Sequence, residues 1–508
     1  MLLLLKKWPH LSENPDRVCL YPPGDQYAVL KYIEDILLPF RDCFSRKAAF
    51  CWFVLVVTGF MLRGDHLGVT SVIRDLSLSP AYYESLIHFF HSDAWEPSRI
   101  RRKWYEILAR KAPCWKVNGK TVIAGDGVKQ YKEAFYMSGV KKLFQESENN
   151  SKPEYIFGHL FGAVGLLAGN AGHCFSIPLR MSIQDGLRPA ASWNGSGIPD
   201  SSHVVQMIDC GTEAADVFGQ SILVLDRYFL SVPALRRISE WNSRPDQKKS
   251  LEIVTKAKSG CTAYTKPPVP EGRRRGRPRK KGDSVKVFSL FDSRADEFTQ
   301  ASVYMYGEKK DVSFCSTDLL WGKGLYQEIR FVLVSYEGLK SVLVSTDLSL
   351  SPVQIIEIYA HRAKIEESFR EFKQTFGGFC YHFWTKALPK LNHFSKSSDP
   401  DPLASVDDEE ARRKILSNIK AIEGFVLFAG IAMGILQLIS LSDEFNEEIR
   451  KSRYLRTPSR ENPSEATVMY YLRRTIFLLM LNNPDSPITE IIRGKQEKPS
   501  GTKLKKTG

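Results

Sequence analysis

Apolar strand-like runs punctuated by helical stretches occupy the chain from Lys120 to Tyr264, and that alternation leaves few folds open. Thr121-Val122-Ile123-Ala124, Ile156 to Ala168, Cys174 to Ile183 and Ser221 to Leu225 are β-rich and bounded by turn residues, and Leu251 to Tyr264 reads as one more strand. Helical stretches are predicted at about 201–218 and 229–241. Strands followed by helices predict a mixed α/β layer. Two of the runs close on an acid: Asp126 in Thr-Val-Ile-Ala-Gly-Asp-Gly and Asp226 in Ile-Leu-Val-Leu-Asp-Arg-Tyr-Phe. A carboxylate there projects from the end of a sheet, where ligand sites gather, although a lone aspartate in that setting is more often a turn residue.

The flanks have a different texture. Residues 1–115 lack strand-like alternation and read as a helical domain with apolar faces, for example Tyr27 to Phe40 and Tyr82 to Phe90. Residues 265–346 read as a β-rich insertion, with short strands at 284–290, 302–307, 328–335 and 340–346. The α/β core is thus expected over 116–264 and 347–392. A Ser/Asp/Pro-rich stretch, His393 to Glu410, precedes a helical region at 411–490, and 491–508 is expected to be a disordered basic tail. Ala48 to Leu62 is short of the roughly 20 residues a membrane span needs, and predicts a buried helix. Phe425 to Leu441 is longer but contains Gln437, so a membrane reading stays open beside a core helix. The Met-Leu-Leu-Leu-Leu start runs into Lys6-Lys7 without the layout of a signal peptide. The nine cysteines are scattered with no Cys-x-x-Cys pair, which predicts neither a zinc cluster nor a disulfide framework and points to a reducing cytosol.

Charge is concentrated rather than spread. The chain carries a formal +14, and Glu271 to Gly282 and Ile491 to Gly508 hold +6 and +5 of it. Two basic segments on a near-neutral body form an electrostatic footprint for a polyanion, nucleic acid before membrane. The alternative is that both are solvated tails.

A strong helix start lies at Ser351-Pro352-Val353-Gln354, with Ser as N-cap, Pro at the first helical position and Gln three residues after the cap. Gly377-Gly378 is the matching stop. The spacing predicts one helix of about 25 residues, on which Tyr359, Arg362, Glu366 and Lys373 fall within about 60° of one another at 100° per residue. Such a stripe alone is more often a solvated ion-pair ladder than a site. Together with Asp126 and Asp226, however, Glu366 completes a set of three carboxylates, an oxygen-rich cluster suited to Mg²⁺ or Mn²⁺. Glu367 points about 100° away from the stripe. Asp347 follows a strand but reads as a turn residue and only a lesser alternative ligand, and His159 reads as a satisfied strand histidine.

The helix reads Tyr359-x2-Arg362-x3-Glu366-x6-Lys373 and resembles the Y-x2-R-x3-E-x6-K signature of DDE transposases of bacterial insertion sequences, the insertion-sequence-4-like group. Asp126 and Asp226 match the family's first and second acids in context and order, and Arg227-Tyr228-Phe229 resembles the segment after the second acid. The resemblance covers about residues 115–390. It implies an RNase H-like catalytic core with a β-rich insertion, preceded by a helical DNA-binding domain and followed by a helical C-terminal region. It also implies two divalent metal ions, Mg²⁺ or Mn²⁺, held by Asp126, Asp226 and Glu366 as catalytic residues, with Tyr359, Arg362, Lys373 and Arg227 contacting DNA. Arg275-Gly276-Arg277-Pro278-Arg279 resembles an AT-hook core, so Arg275, Arg277 and Arg279 are candidate DNA contacts. Trp321 is a candidate base-stacking residue, weighed against a place in the insertion's core. The function so implied is cut-and-paste DNA transposition. The protein would bind terminal inverted repeats on double-stranded DNA, pair two ends as a homodimer, and cut and join strands in a prokaryotic cytoplasm, nucleoid-associated and without a membrane. The alternatives are a catalytically inactive DNA-binding regulator and an RNase H-like nuclease without strand transfer.

Overall fold

Helices come first, strands second and helices again last in the computed structural model, which describes residues 26–145, 153–170, 172–193, 195–199, 201–245, 248–268, 278–392, 400–452 and 462–496. The opening helices are α1 (Gln26–Leu37), α2 (Lys47–Leu62), α3 (Thr70–Asp75), α4 (Tyr83–His91) and α5 (Pro97–Lys111). Strands β1 (Lys116–Val117), β2 (Lys120–Tyr131), β3 (Lys141–Phe144), β4 (Tyr155–Gly169) and β5 (Cys174–Ile183) lead to α6 (His203–Phe218). Then follow β6 (Ser221–Val224), α7 (Val232–Asn242), β7 (Leu251–Lys256), β8 (Thr262–Tyr264), β9 (Ser284–Lys286), β10 (Thr299–Met305), β11 (Glu308–Trp321), β12 (Gln327–Tyr336) and β13 (Leu339–Ser345). The chain closes with α8 (Pro352–Ala360), α9 (Ala363–Gln374), α10 (Glu409–Ser440), α11 (Asp443–Ser452), α12 (Glu465–Asn482) and α13 (Pro487–Arg493).

Two units divide the chain. One gathers Met1–Lys103, Phe372–Phe383 and Ser417–Gly508, so helices from the two ends of the sequence share it. Helix α2 is apolar on all sides and buried from Trp52 through Leu62, the only stable place for such a helix in water. Phe428 of α10 packs its ring 5.0 to 5.9 Å from Phe53, Phe89, Phe90 and Trp95. By length and composition α10 is apolar enough to cross a membrane, but its most apolar window is almost wholly buried here, as a core helix is. Folded structure also reaches further than the sequence predicts: α13 runs through Arg493, and Gln496 bridges Leu78, where a tail from residue 491 was expected. An apolar face of Ile488 and Ile492 supplies the reason.

The second unit, Trp104–Glu371 with Trp384–Leu416, holds a 13-stranded sheet. At its centre β2 pairs β4 antiparallel and β4 pairs β5 antiparallel, while β6 lies parallel to β2 and β7 parallel to β6. Three antiparallel strands followed by two parallel to the first form a mixed α/β arrangement compatible with an RNase H-like core. The insertion does not stand apart: β13 pairs β7 antiparallel, and β12, β11 and β10 add on in turn. Its own core is built by Phe331, Leu333, Val342 and Val344 with Phe291 and Val287.

Three sequence expectations need correction. The strand expected from Leu251 to Tyr264 is two, β7 and β8, because Lys258-Ser259-Gly260-Cys261 turns the chain, with the Cys261 amide donating to the Lys258 carbonyl. Asp126 does not end its strand. β2 continues to Tyr131 because the long β4 offers it partners from Ile123↔Leu166 to Tyr131↔Gly158, and what ends near Asp126 is the parallel pairing with β6, at Ala124↔Val224. Finally, the 25-residue helix is broken at His361-Arg362 into α8 and α9. Its predicted start holds: Ser351 Oγ accepts from the Gln354 amide at 3.2 Å and Gln354 Oε1 accepts from the Ser351 amide at 2.9 Å. Gly377, at φ +51°, and the Gly378 amide bonded to the Phe372 carbonyl make the predicted stop.

Candidate active site

Asp126 reaches the site because β2 is pulled tight against α6. A Cβ on Gly125 would lie 2.7 Å from Leu225 and 3.0 Å from the Met207 sulfur, so only glycine lets the strand sit that close. Asp226 follows β6 after one residue, Leu225, and opens a single 3-10 turn, Arg227–Phe229, whose Phe229 amide bonds the Asp226 carbonyl. The Thr255 hydroxyl also donates to that carbonyl at 2.9 Å, tying the turn to β7. Glu366 lies in the first turn of α9 and is exposed.

Arg362 joins these parts. Its Nη1 donates to Asp126 Oδ2 at 2.9 Å and its Nη2 to Glu366 Oε1 at 2.6 Å, so one guanidinium bridges a strand acid and a helix acid 240 residues apart. The Asp126 carboxyl is raised to about 6, chiefly by burial, with Arg362 and the Gly127 amide lowering it and Asp226 and Glu366 adding to the rise. Asp226 and Glu366 therefore each lie within electrostatic reach of Asp126. Tyr359, half-buried, has its phenol raised to about 12 by burial, with Arg362 lowering it and Asp226 raising it. For Arg362 burial works against the charge, but Asp126, Tyr359, Glu366 and Asp226 outweigh it and hold the guanidinium protonated.

The predicted residues therefore divide. Arg362 joins Asp126 and Glu366 directly, and Asp226 and Tyr359 lie within electrostatic reach of Arg362. Arg227 is exposed beside Asp226. Lys373 is exposed in the last turn of α9, on the stretch of chain that belongs to the helical unit. Trp321 is partly buried against the insertion's core, and its neighbour Gly322 packs near Val232 at the start of α7. Arg279 is exposed, whereas Arg275 and Arg277 lie outside the described residues. The decoys have separate partners. Lys120 Nζ donates to Asp347 at 2.5 Å, six residues before Asp126 on β2 and so roughly 20 Å along the strand. His159 is fully buried, its Nε2 donates to the Ser138 carbonyl at 2.8 Å, and burial lowers it to about 4. Glu367 pairs with Lys364 at 2.9 Å. Sequence reasoning missed Tyr306, whose exposed ring tips the β10–β11 hairpin close enough to act electrostatically on Tyr359. The Tyr306-Gly307 pair, a turn between two strand-like runs, is the signal that marks it.

The acids suit a divalent cation by chemistry: they are all oxygen donors, one of them desolvated, and a cationic side chain already stands between two of them. Among the described residues no three His, Cys, Asp or Glu side chains are gathered closely enough to hold a metal ion as they stand. The guanidinium of Arg362 occupies the space between Asp126 and Glu366 where such an ion's charge is needed.

Comparison with known families adds to this geometry. The sequence profile of the DDE superfamily endonucleases matches residues 39–304, a span that contains Asp126 and Asp226 and ends before Glu366. The chain belongs to this family of endonucleases, a transposase-type group whose members are generally divalent-metal dependent and act on DNA. No curated protein shows significant similarity to the chain.

Proposed function

We propose that the protein is a cut-and-paste DNA transposase of the Y-x2-R-x3-E-x6-K group, which hydrolyses phosphodiester bonds at the ends of its element and transfers the freed strands to target DNA. One observation carries this reading: Arg362 bridges Asp126 of β2 and Glu366 of α9, with Asp226 within electrostatic reach of Asp126, on a sheet compatible with an RNase H-like core. Asp126, Asp226 and Glu366 would hold Mg²⁺ or Mn²⁺, two ions in the full reaction. When bound, the metal activates a hydroxyl nucleophile and stabilises the leaving oxygen. The chain's own cations do the rest. Arg362 and Lys373 bind backbone phosphates, Tyr359 donates its phenol proton in a hydrogen bond to the same strand, and Arg227 follows the DNA away from Asp226. The basic arm with Arg275, Arg277 and Arg279 holds DNA outside the site, and residues 1–115 bind the inverted repeats. Two copies pair two ends, in a prokaryotic cytoplasm.

The test is incubation of the purified protein with a plasmid carrying the element's ends, with and without Mg²⁺ or Mn²⁺. Metal-dependent nicking at the element boundary is expected. Specific end binding without cleavage under either metal would instead support an inactive DNA-binding regulator. A further expected outcome concerns Arg362→Ala: end binding weakens and the slope of log affinity against log salt flattens by about one, since one phosphate contact is lost. Filter binding across a salt series measures it.

A further inference from the structure

The break between α8 and α9 has no usual cause. No Pro or Gly lies between Val353 and Phe376, so the interruption has to be traced to the side chains around it. His361 stands at the break, and its ring shares an acceptor with the last regular helix bond. Its Nδ1 donates to the Glu357 carbonyl at 2.7 Å, the same oxygen that accepts the His361 amide at 3.2 Å. The ring is buried and rests against Trp115, centroids 4.5 Å apart. Trp115 is itself fixed to the sheet, its amide donating to the Leu167 carbonyl at 2.9 Å. Beyond His361 the ladder tightens to i→i+3 bonds: Arg362 to Tyr359, Lys364 to His361 and Ile365 to Arg362, at 3.0 to 3.1 Å. Such a tight stretch inside a helix re-aims the residue it carries. That residue is Arg362, which bridges Asp126 and Glu366.

We propose that His361 is a positioning residue, holding the α8–α9 break open so that Arg362 points at Asp126 and Glu366. It touches no substrate and acts only through Arg362. The functional half of this inference rests on the nuclease reading, and the structural half does not. Glu357, Arg362 and Trp115 are the groups through which the ring works, and the donor at Nδ1 is the feature that a replacement must keep.

Two measurements test it. In a crystal structure of the His361→Ala protein, helix bonds should run without interruption through residues 361–362 and Arg362 should leave Asp126. A break that persists with Arg362 in place overturns the proposal, whatever the protein's activity. In single-turnover cleavage with the ends saturated, His361→Ala should slow the chemical step on the order of tenfold to hundredfold while end affinity weakens no further than in Arg362→Ala. The loss should vanish in an Arg362→Ala background, because both variants remove the same orientation. His361→Asn, whose amide nitrogen stands where Nδ1 stood, should recover most of the rate, and His361→Leu should not. Additive losses with Arg362→Ala, or equal losses in the Asn and Leu variants, would overturn it. If His361→Ala fails to fold, the Asn and Leu pair carries the comparison. A wild-type protein that cuts no DNA would sink the nuclease reading and leave the structural test standing.

Discussion

Replacing Glu366 by Gln is expected to cut metal-dependent DNA cleavage on the order of 10³-fold or more, about 4 kcal/mol of barrier, while end affinity changes by less than about threefold. Gln keeps the volume, the helix propensity and one acceptor oxygen for Arg362, so the fold and the Arg362–Asp126 contact at 2.9 Å survive. What is lost is a negative oxygen donor on the α9 side of the cluster. DNA affinity holds or rises slightly because a negative charge has been removed near a polyanion. Glu367→Gln is the control. It stands one residue on, is exposed, and pairs with Lys364 rather than with the cluster. Its activity should stay within about twofold of wild type, since an exposed ion pair of this kind is worth little. Equal losses in both variants would mean that the charge of the helix, and not a site, is being measured.

Asp126→Asn should produce an inactive protein that is more stable than wild type at pH 8. Burial lifts the Asp126 carboxyl from its ordinary 3.8 to about 6, so the native state binds this proton more tightly than the unfolded chain does. Between pH 4 and 6 the unfolded chain has lost the proton and the native state still holds it. Stability therefore falls as pH rises through that window, and above pH 6 the native state carries a cost of up to roughly 3 kcal/mol. Asn carries no such charge and removes the cost, while its carbonyl oxygen still accepts from Arg362. The gain should appear in urea unfolding at pH 8 and disappear near pH 3.5, where wild-type Asp126 is neutral in both states. No gain at pH 8 would show that Arg362 already compensates the buried carboxylate. The expected trade of stability for function is what a strained active site produces.

Much of the core was legible in the sequence because its signals are local. The runs Cys174–Ile183 and Ser221–Val224 and the helix over 203–218 follow from apolar periodicity and turn residues, and the Ser351-Gln354 capping box from side-chain chemistry. The spacing of Tyr359, Arg362 and Glu366 was legible too, though on one unbroken helix that the structure interrupts at 361–362, and their grouping with the two aspartates came from the resemblance rather than from local pattern. What was not legible depends on partners distant in sequence. β2 passes through Gly125-Asp126-Gly127, a turn-like triplet, because β4 pairs with it there. The helix breaks where Trp115, some 246 positions before His361, meets its ring. Helices of residues 26–103 and those after 417 share one unit because apolar surface on α2 and α10 has to meet something, and composition does not say what.

The central claim is that Asp126, Asp226 and Glu366 act on one divalent cation. Iron-directed backbone scission tests it most directly: Fe²⁺ is loaded in place of Mg²⁺, peroxide and ascorbate generate hydroxyl radical at the ion, and the fragment ends are mapped. Scission is predicted together at Gly125–Gly127, Leu225–Arg227 and around Glu366, all suppressed by excess Mg²⁺ and all lost in Glu366→Gln. Scission instead around Lys120 and Asp347, or at a single one of the three predicted segments, would contradict it.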